Sequence, residues 1–237
     1  QGDSALVELT QKYDGVKLTS LFVTQEEIAS AETELTAELK EAILQAYSNI
    51  QLFHAQQAEQ PKQVETMPGV TCWRKSVPID RVGLYIPGGT APLFSTLLML
   101  GVPAKLAGCP EILLCTPPAK DGSIHPAIRY TASLLGIDKI GKVGGAQAIA
   151  AMAFGTASIP AVNKIFGPGN QYVTVAKQML SKTGVAIDLP AGPSEVLVMA
   201  DESANPAYVA ADLLSQAEHG ADSQVVLLTT SAHMLSE

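Results

Sequence analysis

Three glycine-bearing turns recur along the chain, each between an apolar run and a helical pattern. They are residues 87–90 (PGGT), 144–147 (GGAQ) and 167–170 (GPGN). In a parallel α/β sheet, such turns gather at the carboxyl ends of the strands, where ligands bind. Glycine lets backbone N–H groups approach a ligand closely, and the helix N-terminus that follows favours anionic groups such as phosphate. Together the three turns predict a nucleotide-sized cleft.

The order of the predicted elements indicates an α/β fold. From Val82 onward, short apolar runs alternate with helical segments of roughly 10–15 residues, which predicts βαβ units and a parallel sheet. The predicted strands are 82–86, 112–116, 139–143, 164–166, 185–189, 196–200 and 224–228. The predicted helices lie near 93–107, 124–136, 145–153, 169–182 and 206–219.

The N-terminal part of the chain is predicted to be helical to about Gln60. Residues 24–27 (TQEE) match a capping box. An amphipathic stripe follows, so that one long packing helix is expected from Thr24 to about Gln60, where Pro61 would end it. The stripe consists of Ile28, Leu35, Leu39, Ile43, Ala46, Ile50 and Phe53. Residues 61–81 are predicted to form a connection with short strands.

A change in character at residues 188–195 (DLPAGPSE) indicates a domain boundary, because two prolines and a glycine make a stiff crossover. The matching crossover is expected near residues 78–83. This gives a discontinuous layout, in which an inner domain of residues 85–193 is inserted in an outer one formed by 1–84 and 194–237. The chain begins without Met and ends in what resembles the start of a helix, so it is expected to be a piece of a longer protein.

Composition argues against two classes of partner. The net charge of −8 is opposite in sign to the positive charge that nucleic-acid-binding proteins carry. No apolar stretch approaches the ~18 uninterrupted residues of a membrane span. The longest apolar run, near residues 93–106, is interrupted by Pro103 and Lys105. We therefore expect neither a nucleic-acid partner nor a membrane-embedded segment.

The cysteines are scattered and lack metal-ligand spacing, which indicates a reduced, cytoplasmic protein. They are Cys72, Cys109 and Cys115. Cys109 could act as a thiolate in aldehyde oxidation, but only Lys105 lies nearby to lower its pKa, so a buried, inert thiol is favoured. Ser194 lacks the Gly-x-Ser-x-Gly elbow and is better interpreted as a hydrogen-bonding residue at the domain junction.

Several polar residues in or near the glycine turns have both a purely structural and a functional interpretation. Asn170 could simply cap a helix, whereas Gln147 is a poor cap and points more strongly to a ligand. The Gly-x-Gly-x-x-Gly dinucleotide fingerprint is absent from all three turns. Three acidic residues have no visible pairing and are interpreted as solvated or capping groups: Asp188, Asp201 and Asp212.

Gln216 and His219 lie one turn apart in the last turn of the predicted helix 206–219, with Gly220 following as a C-terminal cap. The helix dipole favours a cation there, and the spacing is that of a metal-ligand pair. Two neutral ligands would hold a divalent ion poorly, however, since zinc takes three or four protein ligands. Capping of the helix C-terminus is the alternative.

Five segments, in order along the chain, resemble histidinol dehydrogenases. They are 82–89 (VGLYIPGG), 143–150 (VGGAQAIA), 164–170 (KIFGPGN), 188–198 (DLPAGPSEVLV) and 212–220 (DLLSQAEHG). The resemblance implies two Rossmann-like parallel-sheet domains, one inserted in the other and preceded by N-terminal helices. It also implies a cytoplasmic homodimer that oxidises L-histidinol to L-histidine through the aldehyde, with two NAD⁺ used in sequence and one zinc ion per active site.

The resemblance assigns roles to six residues. By motif match, Tyr85, Gln147 and Asn170 are expected to contact NAD. Ser194, Gln216 and His219 are expected to contact the substrate, with Gln216 and His219 also ligating zinc. The family's catalytic Glu–His pair and its remaining zinc ligands belong to a portion beyond residue 237. No catalytic residue is therefore assigned in this chain, and the chain alone is expected to be inactive.

Two other functions remain open at the level of sequence. The first is a non-catalytic, two-lobed module that binds a small molecule and is hinged near residues 80 and 190. The second is a thiol-dependent aldehyde dehydrogenase that uses Cys109. Zinc and NAD⁺ titration would separate the first from the histidinol dehydrogenase interpretation, and a Cys109→Ser variant would test the second.

Overall fold

The computed structural model describes residues 2–89, 91–190, 195–218 and 223–236. The chain divides into a first unit, Gln1–Pro190, and a second unit, Ala191–Glu237, each with its own parallel sheet. The helices are α1 (Gly2–Tyr13), α2 (Gln25–Glu34), α3 (Ala37–Ala55), α4 (Phe94–Leu106), α5 (Pro126–Leu134), α6 (Gly145–Phe154), α7 (Gln171–Ser181), α8 (Pro206–Ala217) and α9 (Ala232–Ser236). The strands are β1 (Gln63–Met67), β2 (Val70–Trp73), β3 (Arg81–Tyr85), β4 (Glu111–Cys115), β5 (Lys139–Gly141), β6 (Lys164–Phe166), β7 (Ala186–Ile187), β8 (Glu195–Ala200) and β9 (Gln224–Thr229).

A five-stranded parallel sheet in the order β5-β4-β3-β6-β7 forms the centre of the first unit. The chain builds outward from β3 through β4 to β5 and then returns to the other side of β3 with β6. Successive strand residues face opposite sides of the sheet. Leu84 and Leu114 pack in one apolar cluster, whereas Tyr85 and Cys115 pack in the other. This confirms the α/β fold with a parallel sheet.

Helices cover both faces of this sheet, which explains why its strands are continuously apolar. On one face, α2 packs on α5 and α3 packs on α4. On the other face, α6 packs against α7 and also against α1. The residues between the N-terminal helices and the sheet form an antiparallel hairpin of β1 and β2, in agreement with the short strands predicted there.

The long helix predicted from Thr24 to Gln60 is wrong, because two helices occupy this region. The capping box at its start is confirmed: the Thr24 hydroxyl accepts the N–H of Glu27 at 3.2 Å, and the Glu27 carboxylate accepts the N–H of Thr24 at 2.7 Å. Leu35 is extended, with φ −103° and ψ 147°. Thr36 then caps α3 by accepting the N–H of Leu39 at 3.3 Å. The break lets each helix pack against its own partner on the sheet.

The second unit consists of a βαβ segment followed by a short helix. β8 and β9 pair in parallel over six residues, and α8 connects them. Asn205 caps α8 by accepting the N–H of Ala207 at 3.0 Å, with Pro206 at the first helical position as the sequence indicates. The insertion of residues 85–193 between two parts of an outer domain stays a prediction. In the described ranges, no helix combines the length and the apolar character that crossing a membrane requires.

Candidate functional site

The carboxyl edge of the five-stranded sheet contains a topological switch point between β3 and β6. From β3 the chain crosses to β4 on one side, whereas β6 lies on the other side. In open α/β sheets, the crevice at such a point is where ligands bind. Two of the predicted glycine turns follow β3 and β6 directly, and the other follows β5. The sequence-predicted turns therefore lie at one edge of one sheet.

Tyr85 connects the second and third turns. Its hydroxyl oxygen accepts the N–H of Gly145, the first residue of α6, at 2.9 Å. Its carbonyl oxygen lies directly against Gly167, where φ is +128° and a Cβ atom would overlap that oxygen. Only 3% of Tyr85 is exposed. Burial raises the pKa of its phenol, against the opposing effect of the Gly145 N–H, so the hydroxyl is protonated at neutral pH.

Pro117 joins the first turn to the second. A Cβ atom on Gly88 would lie 2.7 Å from the Pro117 ring, and one on Gly144 would lie 2.5 Å from it. Close approach of the chain to Pro117 therefore accounts for both glycines without a ligand. At Gly89, in contrast, an added Cβ atom would meet no described atom within 4 Å. Gly89 is thus the place in the first turn where a ligand has room to approach the backbone.

The third turn is held by an ion pair that the sequence interpretation missed. Asp188 accepts the N–H of Gly167 at 2.8 Å and pairs with the ammonium group of Lys177. The interpretation of Asp188 as a solvated or capping residue is therefore wrong. Lys177 follows the buried Val173 by one helical turn on α7. A lysine on the buried face of a helix needs a partner, so this position could have indicated an ion pair. Asp201 does act in a turn, since it accepts the N–H of Ser203 at 2.9 Å.

The expected NAD-contacting residues occupy three different settings. Tyr85 is buried, as described above. Gln147 lies half-buried in the first turn of α6, with its amide next to Gly145. Asn170 is exposed and caps α7, because its side-chain oxygen accepts the N–H of Val173 at 3.1 Å. The interpretation of Asn170 as a helix cap is therefore confirmed. Contact of Tyr85, Gln147 and Asn170 with a cofactor stays a prediction.

The expected substrate- and metal-binding residues are only partly described. Gln216 is half-buried in the last turn of α8, where its amide nitrogen donates to the Ser223 hydroxyl at 3.3 Å. That contact leaves the amide oxygen as the atom suited to a metal or substrate. Ser194 and His219 lie outside the described residues, as do Thr90 and Gly220. Within the described ranges, no group of three His, Cys, Asp or Glu side chains is placed to hold a metal ion.

Two of the cysteines are buried within the first unit. Cys109 is 8% exposed and Cys115 is fully buried, and burial raises the pKa of the Cys115 thiol to about 12. Cys72 is exposed. Because a reagent must reach the thiol, iodoacetamide should label Cys72 in the folded protein at least about tenfold faster than the two buried cysteines. Peptide mass mapping measures the labelling rate of each cysteine. Fast labelling of Cys109 would favour the thiol-dependent aldehyde dehydrogenase.

The hydroxyl of Tyr85 provides a test of the contact between the turns. Tyr85→Phe leaves the N–H of Gly145 without its acceptor, so we expect the free energy of unfolding to fall by about 1–2 kcal/mol. Urea denaturation followed by circular dichroism measures the change. Tyr172→Phe is the matched control, since Tyr172 is 68% exposed and its substitution should cost less than about 0.5 kcal/mol. Equal effects of the two substitutions would show that the Tyr85 hydroxyl contributes nothing specific.

The sheet order, the switch point and the converging glycine turns define a doubly wound α/β protein of the kind that binds ligands at the carboxyl ends of its strands. Comparison with known families then identifies it further. A family model described as histidinol dehydrogenase matches residues 1–237. The chain belongs to the histidinol dehydrogenase family.

Individual relatives agree with this assignment. The chain is 64% identical over 236 residues to a histidinol dehydrogenase of Bacteroides fragilis (strain YCH46), covering 100% of this chain and 55% of the relative. It is 57% identical over 236 residues to that of Xylella fastidiosa (strain Temecula1), covering 99% and 55%. A crystal structure of histidinol dehydrogenase from Elizabethkingia anophelis matches with a TM-score of 0.95 and 60% identity, over 99% of this chain and 54% of that one. The chain thus spans about half the length of these relatives.

Proposed function

We propose that the protein to which this chain belongs oxidises L-histidinol to L-histidine through L-histidinaldehyde, in the last steps of histidine biosynthesis. Membership of the histidinol dehydrogenase family supports the reaction. The observation that carries the cofactor assignment is the meeting of the three glycine turns around Tyr85 and Pro117, beside the switch point of the sheet. A cytoplasmic homodimer is part of the same proposal.

NAD would be held by the turns of the first unit. Helices α6 and α7 begin at the second and third turns. Helix N-termini stabilise the negative charge of a pyrophosphate. Tyr85, Gln147 and Asn170 each belong to or adjoin one turn, and the open space at Gly89 allows a ligand to approach the backbone. When bound, NAD⁺ supplies the hydride acceptor for each of the two oxidations.

Zinc and the substrate would be held by residues of the second unit. The amide oxygen of Gln216 is a suitable hard donor, and we assign the second ligand to His219. Ser194 would contact the substrate together with these two. When bound, the metal supplies a Lewis acid that polarises the substrate oxygen. Because zinc sites take three or four protein ligands, the remaining ligands must come from outside this pair.

The acid–base groups of the reaction are proposed to lie outside these 237 residues. Oxidation of an alcohol requires a base that takes the hydroxyl proton, and hydration of the aldehyde requires a second proton transfer. We assign these transfers to a Glu–His pair in the part of the longer relatives that this chain does not match. The 237-residue chain alone is then inactive.

A chimera tests the proposed function. In it, these 237 residues replace the matching segment of the Bacteroides fragilis histidinol dehydrogenase, which is 64% identical. We expect the chimera to form two NADH per L-histidinol, measured by absorbance, and to lose activity when zinc is removed by a chelator. The 237-residue chain should be slower by at least about 10²-fold, since it lacks the proposed acid–base pair.

The parent Bacteroides fragilis enzyme is the positive control for this assay. A folded chimera that forms no NADH from L-histidinol would refute the proposed function. Comparable activity of the 237-residue chain would refute the placement of the acid–base pair outside it. Binding of NAD⁺ and zinc without turnover by the chimera would favour the non-catalytic binding module.

A further inference from the structure

Lys177 and Asp188 together bind both backbone polar groups of Gly167. The Lys177 ammonium donates to the Gly167 carbonyl oxygen at 2.9 Å and pairs with one carboxylate oxygen of Asp188. The other carboxylate oxygen of Asp188 accepts the Gly167 N–H at 2.8 Å. The ion pair is therefore built around one residue, and that residue begins the third glycine turn.

The pair connects three elements of the first unit. Gly167 follows β6, Lys177 lies on α7, and Asp188 follows β7. The chain leaves β6 at Gly167 and enters α7 at Asn170, and Lys177 then returns to Gly167 from within that helix. This closed arrangement fixes the N-terminus of α7 relative to the strand that precedes it.

Stability alone does not explain an ion pair at this position. The Lys177 side chain is 8% exposed and that of Asp188 is 28% exposed. Taking charges out of water is costly, and replacing a buried pair by apolar residues is often neutral or even stabilising. The ion pair does provide directional hydrogen bonds, which apolar side chains cannot supply to a backbone N–H and carbonyl group. We therefore infer that the ion pair serves mainly to fix the backbone conformation of the turn.

The conformation of this turn is also constrained by a second contact, with the main chain of Tyr85. Gly167 has φ +128° and lies against the carbonyl oxygen of Tyr85 at the end of β3. The ion pair and Tyr85 therefore both restrict Gly167, directly beside the switch point. A shift of Gly167 would displace Asn170 and the first N–H groups of α7 with it.

We propose that Lys177 and Asp188 are positioning residues for the cofactor: they hold residues 167–170 so that the N-terminus of α7 faces the NAD pyrophosphate. This inference rests on the proposed function. It assigns to the pair an effect on cofactor affinity, with no contact to the reacting atoms. The pair therefore governs the KM for NAD⁺ much more than kcat.

Carboxylate-to-amide substitutions in the chimera test this role. In Asp188→Asn, the KM for NAD⁺ should rise about 10- to 100-fold, while kcat and the KM for L-histidinol change less than about threefold. Glu34→Gln is the matched control, because Glu34 pairs at 2.6 Å with Arg129, whose side chain is 7% exposed. It should leave the KM for NAD⁺ unchanged.

A double variant separates the effect of the pair on cofactor affinity from its effect on stability. Lys177→Met combined with Asp188→Asn leaves no unpaired buried charge, so its denaturation midpoint should lie closer to that of the parent chimera than the midpoint of Asp188→Asn does. Its KM for NAD⁺ should nevertheless stay raised, because methionine cannot replace the hydrogen bond that Lys177 donates to the Gly167 carbonyl oxygen. A KM that recovers together with the midpoint would overturn the positioning role.

Amide hydrogen exchange provides a readout that needs no activity. The Gly167 N–H should exchange at least about tenfold faster in Asp188→Asn than in Glu34→Gln. Equal exchange, or equal KM values for NAD⁺ in these two variants, would overturn the inference. A parent chimera that forms no NADH would refute the proposed function and with it the cofactor role. The exchange rates would in that case still decide whether the pair holds the turn.

Discussion

Replacing Gly167 with alanine should lower the free energy of unfolding by about 3 kcal/mol or more. The added Cβ atom would overlap the carbonyl oxygen of Tyr85, which is main chain of the central strand and cannot rotate away. The φ of +128° is strained for any residue with a side chain. Urea denaturation of the chimera, followed by circular dichroism, measures the loss.

The same substitution at Gly89 is the control for this effect. Gly89 is in the first turn of the same sheet edge, and an added Cβ atom would have no described atom within 4 Å. We expect Gly89→Ala to change the free energy of unfolding by less than about 0.5 kcal/mol. A Gly167→Ala protein as stable as Gly89→Ala would mean that the third turn does not pack against β3 as described.

Arg129→Met should lower the free energy of unfolding by about 3–5 kcal/mol. Arg129 joins α5 to α2: it donates to the carbonyl oxygen of Ile124 at 2.7 Å, to the Ser30 hydroxyl at 3.1 Å and to the Glu34 carboxylate at 2.6 Å. It also donates to the carbonyl oxygen of Glu27. Loss of the guanidinium group leaves several partly buried acceptors without a donor. Denaturation of the chimera measures this change as well.

Arg74→Met is the matched control for Arg129. Arg74 pairs with Glu59, but the two side chains are 80% and 66% exposed, so water replaces the lost contact. The expected change is less than about 0.5 kcal/mol. Similar losses for Arg74→Met and Arg129→Met would show that the buried network does not anchor α2 to α5.

Most elements of the fold could be predicted from local patterns in the sequence. Each predicted strand from β3 onward is present, although β5 and β7 are shorter than the predicted 139–143 and 185–189. The capping box at Thr24 correctly marks the start of α2, because its two hydrogen bonds join residues three apart. Thr36 caps α3 without a capping box, because the residue three positions later is Leu39, and the amphipathic stripe that continues across Thr36 conceals the break between α2 and α3.

The candidate site could be predicted only in part. The glycine turns could be located from their place between apolar runs and helical patterns, and Gln216 lies on a helix that does form, whereas His219 lies outside the described residues. The groups that bring the turns together were missed. The Tyr85 hydroxyl and Gly145 are 60 residues apart in the chain, and Gly167 and Asp188 are 21 apart. No periodicity links residues at such separations.

Helical periodicity, capping residues, prolines and turn glycines act on neighbours in the chain, and by themselves they determined which segments became helices, strands and turns. The order of the strands, the meeting of the turns at Tyr85 and Pro117, and the pairing of Lys177 with Asp188 were decided only by the tertiary structure. The physical reason is that burial, close approach and ion pairing depend on distances in space. Those distances exist only once segments far apart in the chain have packed together.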